Sequence, residues 1–520
     1  MKIDKLHIND FKFFSKVEPD SPLLSIDGNH LLIYGENGSG KSTIYWSLYT
    51  LLECSFKNSD DEIRKYFKKT GDESLVNIHA TGSSDSYIKV ELNDGFGNST
   101  RYKASRKARD LSIRTNTDVR ESNMASDFIN YRVLFQLHNL KHSKDNNLWQ
   151  WFYEEVLPYV KKGSDPCLDE YDVLKQGPGK VNNLAGDEIF PTAALRTASA
   201  LEERRLYRNY KDYRNQWKAW MNWLKDFLSR ITTRANQLIR NDFRYNFRIV
   251  LDFKCRFPDY RATDDTIKWF DPEIKLIVSE YEGVANPKIT KPHTFLNEAK
   301  WSAIGLALRF AILEQRLYVA DMKVLVIDDM IISLDMSNRE AVLNLILNNY
   351  INDYQLILMT HDRFFFEMAK YTIEKGAMPN FKYLEMFEDS NGAFPKPLII
   401  ENTSQIEKAW QLFHRKEFAL SANTLRKASE KLCKAYLTAH ERLNITSYTV
   451  RNLHSQIEQF QTKGLLAGLN AINLIRFIEY KDRILNPSSH YDIETPLFES
   501  ELKRAIETVE ALALETGFNI

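Results

Sequence analysis

The chain has 520 residues, 43% hydrophobic and 27% charged, a balance typical of folded proteins and a length sufficient for two or three cores. Seventy Lys and Arg offset seventy Asp and Glu, so no global charge draws the chain to nucleic acid, and any such binding needs a local patch. No apolar run reaches bilayer-spanning length, MKIDKLHIND lacks a signal-peptide core, and Cys54, Cys167, Cys255 and Cys433 form no CxxC pair, which excludes a disulfide framework and a thiolate zinc site and predicts a cytoplasmic protein without membrane contact.

In chain order, the first apolar strand is Leu31 to Tyr34, running directly into the glycine-rich GENGSGKST at 35–43, with STIYWSLYTLL as the following helix. YIKVEL near 87–92 reads as a further strand, and basic residues then gather at Arg101, Lys103, Arg106, Lys107, Arg109 and Arg114. TNTDVRESNMASD (115–127) is polar throughout and is expected to be a loop or exposed insertion. LKQGPGKVNNLAGDE breaks the pattern with Gly177, Pro178, Gly179 and Gly186. From Thr192 to about Asn241 there is neither Gly nor Pro, which predicts one helix of roughly 70 Å or a hairpin of half that length. FRIVLDF and EIKLIVSEY follow as strands, AKWSAIGLALRFAILEQ as a helix, and VLVI (324–327) and LILM (356–359) as buried strands. A break with Gly392, Pro395 and Pro397 precedes a tail of helices only.

The fold class expected is therefore α/β, a P-loop head with an all-α C-terminal domain. Its parts are an N-terminal lobe over 1–190, a short helical insertion over 191–241, a C-terminal lobe over 242–400 and a helical domain over 404–520.

GENGSGKST fulfils GxxxxGK[ST] at every position. Gly35, Gly38 and Gly40 let the backbone curl so that the loop from Asn37 to Thr43 turns its N–H groups toward phosphate oxygens. Lys41 suits the β- and γ-phosphates, and the Ser42 hydroxyl suits Mg²⁺. Almost 290 residues later, VLVI ends in Asp328, placed to hold Mg²⁺, and Asp329, placed as the general base that orients the attacking water. LILM ends in Thr360 and His361, which brings a histidine beside the γ-phosphate. These features in this order predict an ATP hydrolase with ATP and Mg²⁺ as cofactors.

The opening IDKLHINDFKFFSK, with Lys12 after Asn-Asp-Phe, resembles the start of RecF, OLD and structural-maintenance-of-chromosomes (SMC) ATPases. VLVIDDMIISLDMSNR (324–339) resembles their Walker B and D-loop, with the paired Asp found in RecF-like and phage-defence members and with Asp335 in the D-loop. FLNEAKWSAIGLALRFA (295–311) is similar to their signature helix. The resemblance implies an ABC-type head over about 1–400, with His361 as switch histidine and Gln136 (in VLFQLHN) as the Q-loop glutamine. It also implies a homodimer or higher homo-oligomer, each ATP sandwiched between one P-loop and Asn297 and Glu298 of the other subunit. Asp329 stands where the general ABC pattern has Glu, a shorter reach that implies slow hydrolysis or a long-lived ATP state.

ANTLRKASEKLCKAYL and YKDRILNPSSHYD in the tail resemble HEPN-type domains, which implies a ribonuclease site of Arg483, Asn486 and His490. There His exchanges a proton with the 2′-hydroxyl or leaving oxygen while Arg stabilises phosphate charge. The same three residues also suit a helix-to-loop junction, since Pro487 ends the helix before His490 and such domains often serve as inactive scaffolds. Three functions stay open. One is a nucleotide switch in bacterial anti-phage defence that controls a partner nuclease. Another is a self-contained ATP-gated ribonuclease, and the third a RecF-like repair ATPase, against which the tail counts. Nucleic acid (DNA or RNA) is an expected partner through the basic cluster and the helix at 204–218, where Glu202, Glu203 and Asp212 intervene.

Overall fold

The computed structural model describes residues 1–15, 24–81, 85–130, 147–163, 165–261, 266–317, 319–329, 336–376, 378, 380–390, 394–440, 450–462, 471–480, 484 and 499–516. The chain divides into two compact units, one of residues 1–369 and 379–400, the other of residues 370–378 and 401–520.

The first unit is built on a six-stranded sheet. Its order is β13 (Lys396–Glu401), β12 (Phe381–Asp389), β3 (His30–Gly35), β11 (Gln355–Thr360), β10 (Val324–Asp328) and β6 (Asp127–Asn130). From β12 to β6 the neighbours pair in parallel. Parallel strands are covered on both faces, which explains why β10 and β11 carry the apolar runs VLVI and LILM and are buried along their whole length. A four-stranded antiparallel sheet, ordered β2 (Leu24–Ser25), β1 (Lys2–Asn9), β4 (Tyr87–Asn93) and β5 (Ser99–Ser105), shares a core with helix α1 (Lys41–Glu53). A third sheet, β7 (Phe247–Lys254), β8 (Glu273–Tyr281) and β9 (Val284–Ile289), is also antiparallel.

The polar stretch 115–127 is not a loop. Thr117–Ala125 is a helix, capped by the Asn116 side chain accepting from Val119 N, and Val119, Ser122, Asn123, Met124 and Ala125 are buried. Polarity here serves burial: Asn123 donates to Leu52 O at 3.2 Å, and the Ser122 hydroxyl accepts from Met322 N at 3.2 Å.

Helix α2 (Cys167–Lys175) precedes α3 (Leu201–Asn241), one continuous helix of 41 residues and about 60 Å. Residues 193–197 form a separate 3₁₀ turn, so α3 starts later than its glycine-free stretch predicts. One stripe of α3, from Tyr210 through Tyr213, Trp217, Trp220, Leu224 and Phe227 to Ile231, repeats at three and four residues and is buried. It packs on α2 and on α4 (Glu298–Leu313), with Tyr213 Oη donating to Leu174 O at 2.9 Å and Trp220 Nε1 to Cys167 O at 3.3 Å. After α4 come α5 (Met336–Asn349) and α6 (Arg363–Lys375), flanking β11 in sequence.

The second unit is helical: α7 (Gln405–His414), α8 (Phe418–Ala439), α9 (Val450–Thr462), α10 (Ala471–Tyr480) and α11 (Glu499–Thr516). Ser404 and Glu407 close a capping box on α7, and Phe413, Leu425, Leu432, Leu453, Phe477 and Ile506 lie in the core. The mixed α/β class with an all-helical C-terminal region is thus the observed one. Among the described residues no helix is long and apolar enough to cross a membrane.

Candidate active site

Parallel register gathers the predicted residues at one edge of the sheet. Asp328 lies opposite Met359 and Asn130, Thr360 opposite Tyr34, and Gly35 opposite Met386. This is the carboxyl edge of the strands, where open α/β sheets receive ligands.

The loop after β3 is tight enough to demand glycine at two positions. A Cβ on Gly35 would lie 2.6 Å from Ser39 Oγ and 2.9 Å from Met386 O, and one on Gly40 (φ 94°) would lie 2.8 Å from Phe13 Cδ1. Gly38 is also left-handed, at φ 90°. Asn37 is exposed on the loop, whereas Thr43 is buried with its N–H on Gly40 O at 2.9 Å. Lys41 is buried and donates to the carbonyl oxygens of Gly35 and Glu36, the latter at 3.2 Å. Burial pushes its pKa down, against the pull of Asp329 and Asp328.

Ser42 Oγ donates to Asp328 Oδ2 at 2.7 Å, joining two motifs that are 286 residues apart. The other carboxylate oxygen, Oδ1, is buried and accepts no hydrogen bond from the described residues. Burial raises the Asp328 carboxyl to about 6, and the charge of Asp329 adds to this against the Ser42 hydrogen bond, Lys41 and His361. A buried, half-satisfied carboxylate beside a serine hydroxyl fits a hard divalent cation. These two oxygens supply only part of an octahedral shell, and phosphate oxygens and water suit the rest. Among the described residues no group of three or more His, Cys, Asp or Glu side chains forms a metal cluster of its own.

Asp329 adopts a left-handed backbone (φ 49°), an uncommon conformation for a residue with a Cβ. Its N–H bonds Met359 O at 3.1 Å, tying the turn to β11. Its Oδ1 accepts from His361 N at 2.9 Å and lies 3.0 Å from His361 Nδ1. The structure therefore brings Gly35, Gly38, Gly40, Lys41, Ser42, Asp328, Asp329 and His361 together.

Asn297 and Glu298 lie elsewhere on the unit. Asn297 caps α4, accepting from Lys300 N at 3.0 Å, and both side chains are exposed. Among the described residues neither bonds the loop at 35–43 or the Asp pair. Gln136, Asp335, Arg483, Asn486 and His490 all fall outside the described residues. The basic cluster is locally matched: Arg101 pairs with Glu91, Lys103 and Arg109 with Asp110, Lys107 with Asp85, and Arg114 with Asp60.

Sequence reasoning missed several neighbours of the site. Phe13 packs on Gly40, Glu388 of β12 reaches to 3.3 Å from a Cβ position on Gly38, and Arg339 of α5 holds Asp362 at 2.5 Å, next to His361. It also missed a buried triad in which Arg309 of α4 binds Asp127 of β6 through two nitrogens, with Arg316 NH2 3.0 Å from the same carboxylate. The one available signal was Arg309 itself, a charge in the middle of the apolar SAIGLALRFAIL.

Residues 5–177 match the family model described as AAA domain, a span that includes the whole phosphate loop and stops before Asp328. No curated protein matches the chain. Among solved structures the chain is similar to an Smc head bound to the C-winged helix domain of ScpA, at 13% identity and a TM-score of 0.39 over 79% of this chain and 100% of that one. It is similar to the Pyrococcus furiosus Smc head domain with an extended coiled coil bound to the C-terminal domain of ScpA, at 13% identity and a TM-score of 0.38 over 80% and 99%. It is also similar to the SMC head domain from Thermotoga maritima, at 14% identity and a TM-score of 0.34 over 77% and 100%. The AAA match and the motif residues give the N-terminal part of the chain the character of a P-loop ATPase domain.

Proposed function

We propose that the chain is a Mg²⁺-dependent ATPase of the SMC and RecF-like ABC type that works as a nucleotide-controlled switch between paired heads. The observation that carries this reading is the 2.7 Å bond from Ser42 to Asp328, whose second oxygen is buried and accepts no hydrogen bond from the described residues. When bound, Mg²⁺ supplies charge neutralisation for the phosphates. Lys41 leaves its loop carbonyls for phosphate oxygens, the loop N–H groups orient the chain of phosphates, and Asp329, held by His361, accepts the proton of the attacking water. The exposed N-terminus of α4, with Asn297 and Glu298, is the surface a second copy would bring to that phosphate.

Calorimetry with ATP and Mg²⁺, beside the Lys41→Ala and Asp328→Asn variants, tests the cradle. Tight binding unchanged in both variants would overturn it. Pairing is tested by mixing Lys41→Ala with Asn297→Ala protein. An ATP sandwich restores one intact site and part of the hydrolysis, while independent heads stay inactive.

The further assignment, control of a nuclease in anti-phage defence, is supported by the paired Asp328 and Asp329 and by the helical second unit. A nucleic-acid partner is supported by α3, where exposed Arg204, Lys211, Lys218 and Lys225 recur every seventh residue, about 10 Å apart along one face. Cleavage of RNA and DNA by the chain alone, with and without ATP and Mg²⁺, separates a switch from a self-contained ribonuclease. The switch leaves both substrates intact.

A further inference from the structure

Asp329 and His361 form the pair on which the proposed hydrolysis depends, and one short turn holds both. Asp329 N donates to Met359 O at 3.1 Å, and His361 N donates to Asp329 Oδ1 at 2.9 Å. Asp329 is left-handed at φ 49°, a conformation that persists only where its surroundings hold it. The turn at 359–362 therefore sets where the Asp329 carboxylate sits.

The far end of that turn is fixed from another element. Asp362 divides its carboxylate between two tasks. Oδ1 accepts from Phe365 N at 3.1 Å and caps α6, whose Phe365 and Phe366 are buried. Oδ2 accepts from Arg339 Nη1 of α5 at 2.5 Å. Asp362 N also donates to Thr360 Oγ1 at 3.0 Å, which closes the backbone around His361. Arg363, the next residue in the chain, is engaged by Glu385 at 2.6 Å and Glu367 at 2.8 Å, so Asp362 draws its counter-charge from α5.

Helix α5 is a firm anchor for that charge. Asn338 beside Arg339 is buried and donates to Tyr245 Oη at 2.7 Å, and Val342, Leu343 and Ile346 are buried as well. Arg339 is 14% exposed and Asp362 31%, so the pair is sheltered from the screening that weakens surface ion pairs. Burial pushes the Asp362 carboxyl up, but the Phe365 N–H and Arg339 hold it below its ordinary value, which keeps it ionised for the contact. A cap on α6 needs only one oxygen and no arginine, since serine or asparagine would serve. The arginine contact thus does more than start the helix.

We propose that Arg339 is a positioning residue for hydrolysis: by holding Asp362 Oδ2 it fixes the turn that aims His361 and Asp329. This rests on the reading of Asp329 as the proton acceptor. Arg339 acts through Asp362 and the turn, not on the nucleotide itself.

The test uses two variants of the full chain. Arg339→Ala removes the donor, whereas Asp362→Asn keeps an oxygen for the cap and loses the charge that Arg339 binds. In the ligand-free chain, each is expected to speed amide hydrogen exchange across residues 359–366 about tenfold, as read by mass spectrometry. With ATP and Mg²⁺, each is expected to lower kcat roughly tenfold while calorimetry finds ATP affinity within about twofold. The double variant should be no worse than either single one, because both break one contact. Arg339→Lys retains a cationic donor and is expected to recover most of kcat, which guards against an alanine variant that fails to fold. Unchanged exchange and kcat in Arg339→Ala would overturn the proposal, as would additive losses in the double variant. So would a fall in kcat matched by equal falls in ATP affinity and in unfolding stability, which marks a merely structural pair. A wild-type chain that binds ATP without hydrolysing it overturns the proton-acceptor reading instead, while amide exchange in the ligand-free variants still reads the Arg339 contact.

Discussion

The two edges of the central sheet use polar residues in opposite ways. At the amino edge they are satisfied by the chain itself. The Gln355 side chain accepts from Ile3 N at 2.7 Å and donates to Ile3 O and Asn29 O, and His30 Nδ1 accepts from Leu356 N at 2.9 Å. Asp127, at the start of β6, is fully buried between Arg309 and Arg316. Burial pushes its carboxyl up, but the two guanidinium groups hold it below the usual carboxylate range. At the carboxyl edge, Asp328 is nearly as buried, but among the described residues no cation pairs with it at comparable distance; burial raises its carboxyl to about 6, and one oxygen accepts no hydrogen bond from them. Two aspartates on neighbouring strands thus differ in whether the fold supplies their counter-charge. Where it does, the residue holds the structure. Where it does not, the residue awaits a ligand.

The largest expected effects break this contrast at each edge. Asp329→Asn removes the proposed proton acceptor and is expected to lower kcat by about 10²- to 10⁴-fold while ATP affinity stays within about twofold, as read from steady-state hydrolysis beside calorimetry. A parallel fall in ATP binding would mean that Asp329 shapes the turn more than the chemistry. Asp127→Ala leaves Arg309 and Arg316 buried without their anion. Urea unfolding of the ligand-free chain is expected to show a loss of about 3–5 kcal/mol, and a loss under 1 kcal/mol would show the triad to be dispensable.

Asp328→Asn sharpens the comparison because its sign is reversed. The ionised carboxylate in the folded chain sits at a raised pKa of about 6, so it opposes folding at neutral pH, and its penalty fades as the pH falls through that value. Replacing it with a neutral amide is expected to stabilise the ligand-free protein by about 2 kcal/mol while abolishing the Mg²⁺ dependence of nucleotide binding. The same substitution at Asp127 should destabilise. Equal signs at the two positions would remove the distinction between them.

The carboxyl edge was legible in the sequence because its chemistry constrains short local runs. Glycines at 35, 38 and 40 answer to backbone geometry, Lys41 and Ser42 complete the spacing of the GxxxxGK[ST] motif, and the Asp pair marks the end of an apolar strand. The amino edge was not, because each of its contacts joins residues far apart in the chain. Arg309 and Asp127 are separated by 182 positions, and Asp127 stands in a stretch whose polarity reads as exposure. The helix Thr117–Ala125 was missed for the same reason: Ser122 and Asn123 are buried by hydrogen bonds to residues that local pattern does not reveal. Phe13 and Glu388 reach the loop from separate elements, so the flanks of the site depended on the fold even though its centre did not.

The smallest expected effect concerns His30, which is buried at the amino edge, its ring tilted against that of Phe381 with centroids 5.0 Å apart. Burial, with a contribution from the charge of Lys2, lowers its pKa from 6.5 to about 4. The ring is neutral in the folded chain, with Nδ1 accepting from Leu356 N, and protonation would turn that acceptor into a donor facing a donor. Because the folded value is depressed, the unfolded chain takes up the proton first as pH falls. The stability His30 contributes is complete above about 6.5 and is lost progressively down to about 4, a swing of about 3 kcal/mol. His30→Asn retains an acceptor for Leu356 N but cannot titrate, so the difference in unfolding free energy between pH 7 and pH 5 should shrink by about 2 kcal/mol in the variant. An unchanged pH slope would place the acid sensitivity of the sheet in its other carboxylates, and the amino edge would then lack the self-satisfied histidine that sets it apart from the carboxyl edge.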